Sequence, residues 1–236
     1  METYNYSQFK PEHYTVKDFH GPKAGESFVE MELFDLSGQR KSLSEYLGKQ
    51  PVVLETASLT SPTYVQALPH MRGLQQLYPD VLFLVLYVRE AHPGRQLPAH
   101  QTMGDKMIAA RQMVTRYDEK RVVLVDDLNG SSHQAYGGLP NMVYVFDKEG
   151  KVVFRGDWNR PGHLAYVLKG MMQGRQVFRR DYFSPYKPTA KTAVRSVGYA
   201  GVDALWQLVK SLPSLIRLCR LARLNYEHRL LSGMRW

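Results

Sequence analysis

The chain has 236 residues, 44% of them hydrophobic and 22% charged, enough for one ordinary globular domain with an added segment or for two small domains. Its single cysteine, Cys219, excludes an internal disulfide framework, a paired-cysteine redox motif and a cysteine-built zinc site. The net charge of +9 is unevenly spread: residues 1–174 hold 19 basic and 19 acidic side chains, whereas residues 175–236 hold 12 basic ones against Asp181, Asp203 and Glu227. A neutral body with a cationic segment points to a contact with something acidic. No apolar run approaches the roughly 20 residues of a membrane-spanning helix, and the polar opening METYNYSQFK does not read as a signal peptide. A soluble protein of a reducing, cytoplasmic compartment is the expectation.

Residues 1–23 are polar and aromatic without clean periodicity and read as an arm lying on the domain. FVEMELF (28–34) alternates, with Val29, Met31 and Leu33 opposite Glu30 and Glu32, which predicts a half-exposed strand. LSEYLG (43–48) predicts a helical turn, and PVVLETA (51–57) a second strand. Ser61-Pro62 then gives an N-cap followed by proline at the first helical position. Tyr64, Leu68, Met71, Leu74 and Tyr78 continue at helical spacing, with a kink expected at Pro69. VLFLVLYV (81–88) is apolar on both faces, the mark of a central strand. A loop rich in Pro and Gly (93–104) leads to a helix carrying Met107, Ala110, Val114 and Tyr117, then to the strand RVVLVD (121–126). A hairpin around KEG and a closing helix from His163 to Met172 complete a mixed sheet with helices on both faces, an α/β domain over about 24–174.

Residues 175–236 differ in character. Phe178 to Ser196 reads as extended and Pro-interrupted. From about Val202 to Leu231 the pattern is helical, with Leu205, Leu208, Leu212, Leu215, Cys219, Ala222, Tyr226 and Leu230 on one stripe, and Pro213 as a break or kink. Lys210, Arg217, Arg220 and Arg223 lie beside or opposite that stripe, with Trp206 nearby. One reading is a solvated basic helix packed back on its own domain. The preferred reading is docking, first to an acidic membrane surface as an interfacial helix and second to a larger protein complex. Nucleic acid is less favoured, because the charge comes without a recognisable binding motif or aromatic platform.

Ser61 and His92 each follow the C-terminal end of a strand. If those strands are parallel neighbours, both residues emerge at one sheet edge, where open α/β folds place ligands. Ser61 also sits at a helix N-terminus, where exposed N–H groups and the positive dipole end would depress the pKa of a thiol or selenol. This seat suits a nucleophile, and a serine occupies it. Ser61 also has a plain role as an N-cap, and Glu90 with His92 could be a surface strand-end pair. A serine nucleophile activated by His92 lacks a GxSxG elbow. Glu90, His92 and His100 match no helical zinc spacing, so no metal and no cofactor is expected. His133 and His163 read as polar loop and helix-start residues.

The segments AGESFVEMELFDLSGQRKSLSEYLGKQPVVLETAS and GGLPNMVYVFDKEGKVVFRG resemble the two halves of thioredoxin-like, peroxiredoxin-type redoxin domains. Within that superfamily, ASLTSPTY (57–64), LYVREAHPG (86–94) and VDDLNGSSHQAYGGLP (125–140) resemble the iodothyronine deiodinases and their bacterial relatives. The resemblance implies a thioredoxin-like fold over about 24–172, with Pro140 at the position of that fold's cis-proline. It places Ser61 where the family keeps selenocysteine or cysteine, and Leu59 at a second position that is often cysteine. Glu90 and His92 match the family's Glu-Ala-His-Pro, which helps to bind and protonate substrate, and His100 matches a second histidine of the following loop. A serine hydroxyl cannot do reversible redox chemistry. The resemblance therefore implies either a redox-silent binding or accessory module, or an oxidoreductase whose Cys or Sec has been replaced by Ser61.

Overall fold

The computed structural model describes residues 4–14, 21–175 and 187–231. Seven strands form one mixed sheet in the order β2-β1-β5-β4-β3-β6-β7. They are β1 (Glu32–Asp35), β2 (Arg40–Ser42), β3 (Val52–Ala57), β4 (Leu82–Tyr87), β5 (Val122–Val125), β6 (Val143–Phe146) and β7 (Val152–Gly156). The central strands β5, β4 and β3 run parallel, and the flanking pairs β1/β2 and β6/β7 are antiparallel hairpins. The helices are α1 (Pro62–Leu77), α2 (Met103–Tyr117), α3 (Ser131–Ala135), α4 (Pro161–Met172), α5 (Ala190–Val197) and α6 (Val202–Leu231). Single 3-10 turns lie at Pro11–Tyr14, Leu43–Tyr46 and Gly198–Ala200.

Alternation along the strands divides the core. Val53, Ala57, Phe83, Val85, Tyr87, Val123 and Val125 face α1, α2 and α4. This follows from connectivity, since two successive right-handed crossovers stepping the same way along the sheet leave both helices on one side. Val52, Leu54, Leu84, Leu86, Leu124, Tyr144 and Phe146 face the other way. Short pieces cover that side: the turn at Leu43, the end of α3 at Tyr136, and Tyr6, Phe9 and Tyr14 of the N-terminal arm. The sheet thus carries helical elements on both faces, long ones on one and short ones on the other. α3 went unread in the sequence because five residues are too few to show a period.

The arm is tied down by cation–π contacts. The Arg89 guanidinium lies 4.8 Å from the ring centres of both Tyr4 and Tyr6 and 5.9 Å from that of Tyr14, and its Nη1 donates to the Tyr4 carbonyl at 2.8 Å. Tyr6 Oη donates to the Ala91 carbonyl at 2.9 Å. Gly130, at a φ of +73°, lies so close to the Tyr4 ring that a Cβ would stand 2.0 Å from it.

Three sequence expectations are corrected here. Residues 190–197 form α5 rather than extended chain, capped by Thr189 accepting from the Thr192 N–H; the 178–186 part of that expectation lies outside the described residues. Leu139-Pro140 is not cis, since no peptide bond among the described residues is. Gly137 and Gly138, at φ of +107° and +70°, turn the chain instead, and Leu139 O accepts from Thr56 Oγ1 and His133 Nε2. His133 is buried, not a polar loop residue, with Nδ1 accepting from Tyr4 Oη at 2.7 Å. The C-terminal segment, for which the sequence left packing on its own domain as one reading, folds back in part. Val197, Ala200 and Ala204 are buried against Leu97, and Leu215 reaches the core beside the arm.

A wholly buried ionic cluster joins α1 to the sheet. Arg121 Nη1 meets Glu55 Oε2 at 2.6 Å, and its Nη2 and Nε meet the two Glu119 oxygens at 2.7 and 2.9 Å. Tyr64 Oη donates to Glu119 Oε2 at 2.5 Å, while Asn141 and Asn159 donate to Glu55 Oε1 at 2.8 and 2.6 Å. The guanidinium, with tyrosine and backbone donors, holds Glu119 down at about 2 despite burial. Removing one partner strands an opposite charge in the interior. Arg121→Met is therefore expected to lower the unfolding free energy in urea by about 3–5 kcal/mol, and adding Glu55→Gln with Glu119→Gln to restore much of it; equal stability of Arg121→Met and the unchanged chain would contradict this.

Candidate functional site

β3 and β4 pair in parallel register, Ala57 opposite Tyr87, so the residues after each strand emerge together. Ser61, Glu90 and His92 share that edge, as expected, and His100 returns to it from the loop ahead of α2. All four are buried. Thr60, which sequence reasoning missed, joins the two loops. Its N–H and its hydroxyl both donate to Glu90 Oε2, at 2.9 and 2.6 Å, and its hydroxyl accepts from the His92 N–H at 3.0 Å. Tyr87 Oη donates to the other Glu90 oxygen. Burial pushes the Glu90 carboxyl up, and the hydrogen bonds from Thr60 and Tyr87 pull it back.

Ser61 is the N-cap of α1. Its Oγ accepts from the Tyr64 N–H at 3.4 Å and lies 3.1 Å from Thr63 Oγ1. The extended backbone at Ser61, φ −82° and ψ 108°, followed by Pro62 at the first helical position, produces this cap. Leu59 is wholly buried in the core beneath α1 and α2, and its carbonyl accepts from Tyr117 Oη at 2.7 Å.

The two histidines differ in setting. The His92 ring packs against Phe9 of the arm at 4.3 Å between centres, and its Nδ1 has no hydrogen-bond partner. His100 sits 5.9 Å from the Tyr87 ring, with Nε2 3.7 Å from Glu90 Oε1 and both ring nitrogens without a partner. Burial lowers both from the usual 6.5 to about 3, with the Lys106 charge adding to the effect at His100. Both imidazoles are therefore neutral at pH 7, and the Glu90–His100 approach is not an ion pair. Among the described residues no group of three or more His, Cys, Asp or Glu has the placement to hold a metal ion.

Two further segments enclose this edge. The arm covers it through Phe9 and Tyr6. From the other side, Gln96 N–H donates to the Ala200 carbonyl at 2.9 Å and Arg95 N–H to Asp203 Oδ2 at 3.0 Å. Gly94 permits this approach, because a Cβ there would stand 2.4 Å from Ala200 O. Phe9 and Ala200 carry no motif, so their part in the site was not readable from the sequence. Of the residues expected to meet a partner, Trp206, Leu212, Lys210, Arg217 and Arg220 are exposed on α6. The Arg223 side chain and Cys219, expected as core or interface packing, lie outside what is described.

A mixed sheet with an N-capped helix leaving a central strand, and polar groups gathered at its parallel edge, defines a thioredoxin-like protein. Solved structures agree at the level of fold. An uncharacterized conserved protein from Geobacillus kaustophilus superposes with a TM-score of 0.56 at 16% identity, covering 74% of this chain and 96% of that one. Peroxidoxin BcpB from Mycobacterium tuberculosis gives 0.50 at 17% identity, covering 65% and 99%. The iodothyronine deiodinase family profile matches residues 3–173, and the chain belongs to that family. It is 31% identical over 153 residues to a thyroxine 5-deiodinase of Aquarana catesbeiana, covering 60% of this chain and 56% of that protein. It is 29% identical over 163 residues to that of Gallus gallus, covering 64% and 62%. The match thus spans little more than half the length of these relatives. α5 and α6 lie beyond the profile.

The depressed histidines give a pH signature. Between pH 6.5 and about 3 the unfolded chain carries a proton at His92 that the folded chain does not. Stability from this group is full above pH 6.5 and is lost as the pH falls, at about 1.4 kcal/mol per unit. Raised carboxyls at Glu90 and Asp126 act in the opposite sense, so the difference between two chains isolates the imidazole. Urea unfolding of His92→Phe across this window is expected to show the acid loss reduced by one proton; an unchanged slope would mean that His92 titrates normally when folded.

Proposed function

We propose that this chain is a redox-silent member of the deiodinase family that works as a binding or accessory module, held at an acidic membrane surface or a larger complex by its basic C-terminal segment. The observation that carries the reading is Ser61 itself: a wholly buried hydroxyl, engaged as a helix cap, where the family resemblance puts the nucleophile. A helix N-terminus lowers the pKa of a thiol enough to matter at pH 7. It cannot bring an alcohol near that range, and oxygen does not shuttle through the sulfenic and disulfide states of sulfur. The covering of His92 by Phe9 also favours a closed site over an open substrate channel.

A second reading has its own support. Neutral His92 and His100 keep buried ring nitrogens without partners, and each such group costs about 1–3 kcal/mol. A scaffold without chemistry gains nothing from that cost, which favours an oxidoreductase in which Ser61 replaces Cys or Sec. The curated relatives are named for thyroxine, so iodothyronine is the substrate class to offer.

The test is iodide release from thyroxine with a thiol reductant, and peroxide consumption, by the chain as written and by Ser61→Ala and Ser61→Cys. No turnover above the blank by the chain as written supports silence. Turnover that Ser61→Ala abolishes would overturn it. Turnover by Ser61→Cys alone would favour the second reading, and the mass of residue 61 in protein from its own source would then decide between them.

A further inference from the structure

The start of α6 packs inward through Ala204, Leu205 and Leu208, and Leu215 reaches the core beside the arm. Its other side is unusual for a helix on a protein surface. Val202, Trp206, Val209, Leu212 and Ile216 recur at spacings of three and four residues, one continuous helical face. They are exposed by 80, 58, 51, 44 and 50% respectively. Their apolar surface faces away from the domain. Lys210, Arg217 and Arg220 are exposed beside or among them, and Lys210 Nζ stands 5.3 Å from the Trp206 ring. The apolar surface of the helix is therefore broad, with one edge covered by its own domain and the adjoining sector uncovered.

We infer that this outward face is a seat for an anionic lipid surface, on which α6 lies in the plane of the interface. Three observations select lipid over a second protein. Apart from Asp203, which accepts from the Arg95 N–H, the charged side chains described on α6 are all basic. Residues 1–174 carry no net charge, so the body is not repelled by an anionic surface and the attraction is concentrated on the segment. A tryptophan with lysine and arginine neighbours suits the headgroup boundary, where an amphipathic ring and snorkelling cations are both satisfied. No helix among the described residues is long and apolar enough to cross a membrane, so α6 would lie on the surface rather than span it. Pro213 fits this orientation: it is exposed, and it removes the backbone donor to the Val209 carbonyl on the side that would meet headgroups rather than core.

The inference deepens the docking half of the proposed function and is independent of the redox half. The full chain is floated with vesicles of phosphatidylcholine alone and of phosphatidylcholine with phosphatidylserine, at low and high salt. Binding is expected only with phosphatidylserine, weakening as salt screens it. Replacing Lys210, Arg217 and Arg220 together by Gln is expected to weaken partitioning by about a hundredfold. Trp206→Glu with Ile216→Glu is expected to abolish binding while the thermal midpoint stays put, because both side chains are exposed. Equal binding to both vesicle types, or none to either, overturns the inference. So does a dimer in analytical ultracentrifugation that Trp206→Glu dissociates, since a second copy would then cover the face. Ser61→Cys is expected to bind vesicles like the unchanged chain, so the outcome is read separately from turnover.

Discussion

The double grip of Thr60 on Glu90 organises this edge of the sheet. Thr60, three residues beyond β3, donates through its backbone and its side chain to one carboxylate oxygen from the loop beyond β4, and accepts from the His92 N–H. Charge-assisted hydrogen bonds are shorter and roughly twice as strong as neutral ones, and these are shielded from water. They set the separation of the two loops, hence where Ser61 begins α1 and where His92 meets the arm. The same carboxylate receives Tyr87 and approaches His100, so the loop up to α2 is gathered by it as well. Without Thr60, the buried carboxylate would lose two donors, and the link to the His92 loop would go with them.

This constraint explains why the edge is closed. A carboxylate so engaged needs exclusion of water to keep its bonds strong, and the exclusion comes from two pieces of chain that the sheet does not need: the aromatic arm, fastened by Arg89 and Gly130, and the turn around Ala200, admitted by Gly94. Phe9 of the arm packs on His92, and burial holds both histidines neutral. A neutral imidazole is a poor proton donor but a competent hydrogen-bond partner, so the edge as it stands suits holding a polar group better than protonating one.

Much of the fold was legible because its signals are local. The two-sided apolarity of 81–88 becomes the central β4, the Ser61-Pro62 pair becomes a cap, and the strand-helix-strand order fixes which ends lie together. The site was legible only as positions. Thr60 has no signature, since its importance comes from a carboxylate 30 residues away. Phe9 belongs to a segment without period and is placed by tyrosines around one arginine. His133 looked like a loop residue because its partners, Tyr4 and the Leu139 carbonyl, are supplied by distant chain and by a turn. At Leu139-Pro140 the family resemblance implies a cis bond, but two glycines with positive φ already reverse the chain there.

α6 shows where a sequence stripe and a structural face part company. The leucines at 205, 208, 212 and 215 form the obvious apolar row, and alone they suggest a helix waiting for a partner along that row. Three of the four are partly covered by the protein's own domain or arm, so packing has already used them. What remains uncovered is the adjoining sector of the helix, from Val202 through Trp206 to Ile216, which mixes residue types and includes Pro213. Composition hides such a face because its residues are not all leucine. Position reveals it, since burial of one side of a rigid helix dictates which side must look outward. The basic side chains gain meaning from the same geometry: on a helix with its first apolar row already satisfied, cations bordering the second row favour a surface that is apolar beneath and negative at its rim.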